Sequence, residues 1–240
     1  MADLLLIPGI GGHPHFHQAL VDGLSRHHRV HTAPHGDFFS QPFAGLAPHT
    51  AYWRARLQAV ETDTLTVVAV SFGAHIVPGL LQAAGPAVRR IVLISPWLPR
   101  MPGRLALALA GAVPERIAAP WLARRLMRWS EDTGDAAAIA QMRTALYDDP
   151  GRVAVRWHRR LLAIRQGLDW TQLDRLARTL PVDLVFGQAE MLGRLQRAPA
   201  GALAVRHPHV RVRHVAGGHE IGQQWSPALA AAFDAILAGE

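Results

Sequence analysis

The chain's 240 residues suffice for one domain with a core of its own, and half of them are hydrophobic. There is no cysteine, which excludes disulfides, Cys-ligated zinc and a thiol nucleophile; all 25 basic residues are arginine, which excludes Schiff-base chemistry and the lysine of a phosphate loop. The net charge of +7 comes without a basic run interleaved with aromatics, so nucleic acid is not expected as a partner, and no apolar stretch of roughly 18 residues is present to span a bilayer.

Leu4 to Ile7 is a short continuous apolar run that ends in Pro8-Gly9-Ile10-Gly11-Gly12. It predicts a central parallel strand followed by a tight glycine-rich turn. The start of the chain has no basic n-region and reads as this first strand, so a cytoplasmic protein is expected. Phe16, Leu20 and Leu24 share one face of a helix from Phe16 to Leu24, and Arg29 to Ala33 is a second strand. A turn-rich loop with three aromatics runs from Pro34 to Pro48, then a helix from about His49 to Val60.

Thr64 to Val70 is a β-branched apolar run, a buried strand. A helical pattern with Ile76, Leu80 and Leu81 on one face follows it directly. Ala69-Val70-Ser71-Phe72-Gly73 leaves no room for a loop between them, so Ser71 must take a strained backbone conformation between small neighbours. Its hydroxyl is then held out at the carboxyl end of the strand. Arg90 to Ser95 is a fourth strand, ending at Pro96-Trp97.

From Pro99 to about Leu180 no strand is predicted, only helical spacing. Strands resume at Val182–Gly187 and Val210–Val215, and a last helix runs from about Pro227 to Leu237. Strand–helix alternation with an inserted helical block predicts an α/β protein with a mostly parallel sheet of about six strands. The main domain spans 1–98 and 171–240, and the insertion spans 99–170 between the fourth and fifth strands.

A serine hydroxyl becomes a nucleophile when a base takes its proton and a carboxylate orients the base. Ligands of open α/β sheets bind past the carboxyl ends of strands, so partners are sought there. The fifth strand is followed by Gln188-Ala189-Glu190 and the sixth by Ala216-Gly217-Gly218-His219. Ser71, Glu190 and His219 thus stand in the order nucleophile, acid, base, and no carboxylate follows the strand ending at Ser95.

With these residues in place the chain resembles the α/β-hydrolase superfamily over nearly its whole length. Ala69-Val70-Ser71-Phe72-Gly73 matches the nucleophile elbow, with Ala for the first Gly. Pro8-Gly9-Ile10-Gly11 matches the oxyanion turn, with Pro for His. Gly187-Gln188-Ala189-Glu190 matches the acid turn, with Glu for Asp, and Gly218-His219 matches the final Gly-His. The resemblance implies a Ser71-His219-Glu190 triad, an oxyanion hole from the N–H groups of Ile10 and Phe72, and no cofactor. It also implies a helical lid at 99–170, similar in plan to lid-bearing esterases that cleave pimeloyl-carrier-protein methyl ester. Since Leu4 to Ile7 reads as the oxyanion strand, the resemblance is expected without the family's first hairpin and with a sheet reduced to about six strands.

Trp97, Trp121 and Trp129 lie in or beside the insertion and are expected to line the acyl pocket. From Arg100 to Asp169 there are 12 Arg against 7 acidic residues. Such a segment suits either a solvated helix face or docking of an acyl carrier protein or coenzyme A. His13, His15 and His17 alternate, but Pro14 and the absence of a nearby carboxylate argue against a metal site. The expected function is hydrolysis of a carboxylic ester or thioester through an acyl-enzyme. Acyl transfer or cyclisation by the same triad, and a non-catalytic binding protein on this fold, are the alternatives.

Overall fold

Apolar runs that must bury both faces become strands of a covered parallel sheet. The computed structural model describes residues 1–9, 14–33, 45–82, 87–98, 112–114, 117, 166–218, 221 and 225–239. Among them six strands form one sheet: β1 (Asp3–Ile7), β2 (Arg29–Thr32), β3 (Thr64–Val70), β4 (Ala87–Ile94), β5 (Val182–Gly187) and β6 (Val210–Val215). Their order is β2-β1-β3-β4-β5-β6, and every neighbouring pair is parallel. The two strands flanking the chain's middle segment, β4 and β5, lie side by side, with Ile91 to Ile94 opposite Val182 to Val185.

Parallel strands need crossover connections, and the helices that provide them cover both faces. We number them α1 (Pro14–Ser25), α2 (Ala47–Gln58), α3 (Val77–Leu80), α4 (Trp170–Leu176), α5 (Met191–Arg206) and α6 (Pro227–Ala238). Leu5, Ile7, Val67, Ala69, Leu93, Leu184 and Phe186 face one buried cluster, with Trp53 and Leu57 from α2, Leu173 from α4 and Leu203 from α5. Leu4, Leu6, Val68, Val70, Val92, Ile94 and Val185 face the other, with Leu20 and Leu24 from α1 and Leu229, Phe233 and Ile236 from α6. The alternation along each strand is the period-two rule applied to a sheet with no wet face.

Two local structures differ from the sequence expectation. The chain beyond β3 is a 3₁₀ segment, Ser71–His75, followed by the single turn of α3, which carries Pro78 near its start. Proline is tolerated there because the N–H it lacks has no partner in a first turn. The second difference is α5, 16 residues that the apolar pattern does not announce. Among its described side chains the buried positions are Gly193, Gln196, Ala200 and Leu203, mostly small or polar, so this stripe is set by shape rather than by hydrophobicity. The expected lid at 99–170 falls outside the described residues apart from 112–114, 117 and 166–170, and the loop at 34–44 falls outside entirely. Among the described residues no helix is long and apolar enough to cross a membrane.

Candidate active site

An all-parallel sheet gathers the carboxyl ends of its strands along one edge, which is where side chains from distant parts of the sequence meet. Ser71 leaves β3 at φ 47°, from an extended Val70 at φ −98° and ψ 128°. A residue bearing a Cβ is rarely held in that left-handed region, and doing so costs on the order of 1–3 kcal/mol. Surrounding packing keeps it there. Phe72 to His75 are buried while Ser71 itself is half-buried, so the strained residue is the one that reaches the surface.

Two glycines permit the close approach. A Cβ on Gly73 would fall 2.6 Å from the carbonyl oxygen of Ile7 and 2.8 Å from that of Pro8. A Cβ on Gly9 would lie 3.2 Å from the Val70 carbonyl oxygen and 3.3 Å from Ser71 Cβ. The end of β1 and the elbow therefore nearly touch, which sets Gly9 beside the serine. Gly9 donates its N–H to Nε2 of the buried His17 at 3.0 Å. An imidazole that accepts at Nε2 carries its proton on Nδ1. This use of His17 escaped the sequence reading, which grouped it with His13 and His15. His13 lies outside the described residues and the side chain of His15 is not described; among the described residues no group of three or more candidate ligands could hold a metal ion.

Glu190 is 3% exposed. It is the N-cap residue of α5, yet its side chain does not cap the helix. Its Oε2 instead accepts the hydroxyl of Ser95 at 2.8 Å and the N–H of Gly187 at 3.3 Å. The turn before His219 folds against the residues just ahead of Glu190. Ala189 donates its N–H to Gly217 O at 3.0 Å and Gln188 to Val215 O at 2.8 Å. A Cβ on Gly187 would fall on the carbonyl oxygens of Gly217 and Gly218, so only glycine fits there. Gly217 takes φ 122°, a conformation open to glycine. His219 and Ile10 themselves lie outside the described residues, as do Trp121 and Trp129.

Phe72 is 2% exposed, with His49 and His75 edge-on to its ring at 5.9 and 6.0 Å. Trp97 is half-buried and packs against the core cluster behind α2 and α5. Its flanking backbone is clamped by α5: Gln196 donates to Pro96 O at 2.6 Å and accepts the Leu98 N–H at 2.9 Å. His214, on β6, stacks on Phe186 at 5.9 Å. Burial, with Arg197 nearby, holds its imidazole below the ordinary range, against the opposing pull of Glu190. A surface groove of about 520 Å³ lies against Val88 and Leu180, at the amino ends of β4 and β5 and thus at the far end of the sheet from Ser71.

No family model and no curated protein matches this chain. Solved structures do. A carboxylesterase of the thaumarchaeon Nitrososphaera gargenis superposes with a TM-score of 0.70 at 16% identity, over 99% of this chain and 90% of its own. MenH from S. aureus gives 0.71 at 13% identity, over 99% and 92%. AqDC, described in recognition and ring-cleavage of the Pseudomonas quinolone signal, gives 0.74 at 18% identity, over 100% and 92%. Together with the parallel sheet and its flanking helices, these likenesses establish that the chain has the α/β-hydrolase fold.

Proposed function

We propose that this protein is a serine hydrolase that cleaves a carboxylic ester or thioester through Ser71, His219 and Glu190. The observation that carries the reading is Ser71 held at φ 47° directly off β3 and beside Gly9. The buried carboxylate of Glu190 stands two strands along the same edge, and its neighbour Ala189 donates its N–H to Gly217 in the turn before His219. A nucleophile, an acid and the approach to a base are thus supplied by three separate strand ends. The carboxylesterases among the structural neighbours agree with ester chemistry. Fold alone does not choose it, since AqDC shares the fold and is described in a ring-cleavage.

In this mechanism Ser71 Oγ attacks the acyl carbon while His219 takes its proton, and Glu190 orients and stabilises the imidazolium. The N–H groups of Ile10 and Phe72 receive the oxyanion. Collapse of the tetrahedral intermediate expels the alcohol or thiol, which His219 protonates. Water, deprotonated by His219, then attacks the acyl-enzyme, releases the acid and restores Ser71. Transfer to an acceptor other than water would use the same steps and is separated by incorporation of solvent oxygen into the product. In this reading the segment 99–170 is a lid over the serine, with Trp97, Trp121 and Trp129 toward the acyl chain. Its 12 Arg suit an anionic acyl carrier. Turnover of a carrier-bound ester that ignores both salt and Arg→Glu changes in this segment would remove the carrier from the scheme.

The decisive experiment is labelling by a fluorophosphonate probe together with turnover of p-nitrophenyl esters from acetate to laurate, with Ser71→Ala beside the wild type. A triad of this kind acts as a unit worth on the order of 10⁶ in rate, so Ser71→Ala is expected to lose both labelling and turnover. An unlabelled wild type would favour a binding protein on this fold.

A further inference from the structure

Ser95 is the second serine of the sheet edge in a left-handed conformation, at φ 46°. It follows Ile94, which is in register with Val70, so the two strained serines leave adjacent strands at the same level. Glycine would take this φ without strain, and the position nevertheless carries a side chain. Unlike Ser71, Ser95 is fully buried, which rules it out as a nucleophile. Its backbone is fixed on both sides: its own N–H goes to Val185 O at 2.8 Å, and Gln196 clamps Pro96 and Leu98 just beyond. From that fixed point its hydroxyl donates to Glu190 Oε2 at 2.8 Å, where the Gly187 N–H arrives as a second donor.

We propose that Ser95 is the positioning residue of the triad acid, its buried hydroxyl holding the Glu190 carboxylate in place at the ends of β4 and β5. The inference rests on the serine-hydrolase reading above and deepens it. Physical need for such a tether comes from the acid itself. Glutamate has one more rotatable bond than aspartate, and a carboxylate free to swing about it would orient the base poorly. Two donors on one oxygen, one from the end of β4 and one from the end of β5, remove that freedom. The bond spans 95 residues of sequence, and it exists because β4 and β5 are neighbours in the sheet.

The test is a double-substitution cycle, because a residue acting through Glu190 must lose its effect when the carboxylate is gone. Ser95→Gly deletes the hydroxyl and accepts the backbone conformation; Ser95→Ala is a second deletion should the glycine loosen the loop. The rate of Ser71 labelling by a fluorophosphonate is measured in the wild type, Ser95→Gly, Glu190→Gln and the double variant. Thermal melting is followed throughout, and kcat and KM on p-nitrophenyl butyrate alongside. Ser95→Gly is expected to slow labelling and lower kcat about tenfold to a hundredfold with KM within about twofold. In the Glu190→Gln background the same change is expected to alter labelling by less than about twofold. Equal losses in both backgrounds, or no loss in either, would overturn the inference and leave Ser95 a packing residue. Full labelling in Glu190→Gln would overturn it too, by moving the acid elsewhere, while the serine mechanism stood. A wild type that is not labelled at all would instead bring down the serine mechanism and this inference with it.

Discussion

Ser71 and Gly9 illustrate how much of this site is decided at single residues. The φ of 47° at Ser71 is a local cost met by packing on both sides, and the near contact with Gly9 is possible because Gly9 has no side chain. His17 then holds Gly9 itself by accepting its N–H. Replacing His17 with Leu keeps an apolar volume in a buried position and removes that acceptor. A buried N–H deprived of its acceptor costs about 1–3 kcal/mol. We expect His17→Leu to lower the melting temperature and, on the proposed mechanism, to slow labelling of Ser71, because Gly9, the residue before the proposed oxyanion donor Ile10, is no longer held. His17→Gln offers a side-chain carbonyl at a similar reach and is expected to recover part of both. Unchanged labelling in His17→Leu would mean that Gly9 is held by other contacts.

At the scale of elements, the site depends on strand ends that approach more closely than side chains allow. Gly73 packs on the carbonyls at the end of β1, and Gly187 packs on those after β6. In both places the obstructing atoms are backbone, so relaxation would require moving a strand. Gly73→Ala and Gly187→Ala are each expected to destabilise by on the order of 3 kcal/mol. Gly201 is the contrasting case. It sits exposed within α5 with nothing within 4 Å of a Cβ, so Gly201→Ala is expected to stabilise by about 0.5–1 kcal/mol through backbone entropy alone. Urea midpoints of the three variants check all of this at once, and a loss of stability in Gly201→Ala would contradict it. The same scale explains the clamp on β4: Gln196 uses both ends of its amide on Pro96 and Leu98, which ties the exit of that strand to α5.

Over the whole molecule the titrating groups set how the fold responds to pH. Burial is the leading cause that holds the imidazoles of His28 and His214 below their ordinary value of 6.5. The unfolded chain therefore takes up protons first, and stability falls as pH drops below about 6.5. Asp3, hydrogen-bonded by His31, and Asp174, hydrogen-bonded by Arg206 and His207, are held below 3.8, so a second loss follows in acid beneath that value. Asp183 works in the opposite sense. Burial raises its carboxyl above 3.8 despite Arg90 at 3.0 Å and Arg213 at 3.5 Å, so its contribution declines as pH rises through that region. The expected outcome is a urea midpoint that falls between pH 8 and pH 5, with an unchanged slope. A midpoint flat over that range would refute the histidine assignment.

Local physics made much of this protein legible from residues alone. The strands Val182–Gly187 and Val210–Val215 span the residues expected of them, and the tight join after Val70 required a strained Ser71 because no residues were left for a loop. Strands alternating with helical patterns also implied a mostly parallel sheet. Where the pattern was weak the reading was weak: α5 buries Gly193, Gln196 and Ala200, which carry little hydrophobic signal, and no periodicity marked it. The site's partnerships belong to tertiary structure. Strand order brings β4 beside β5, and that neighbourhood alone delivers the Ser95 hydroxyl to Glu190, as the approach of β1 to β3 delivers Gly9 to Ser71. A sequence records what each segment can bury and how sharply it can turn. Which segments lie side by side is settled when the whole sheet assembles, because pairing distant strands is a property of the packed molecule and of no single stretch of chain.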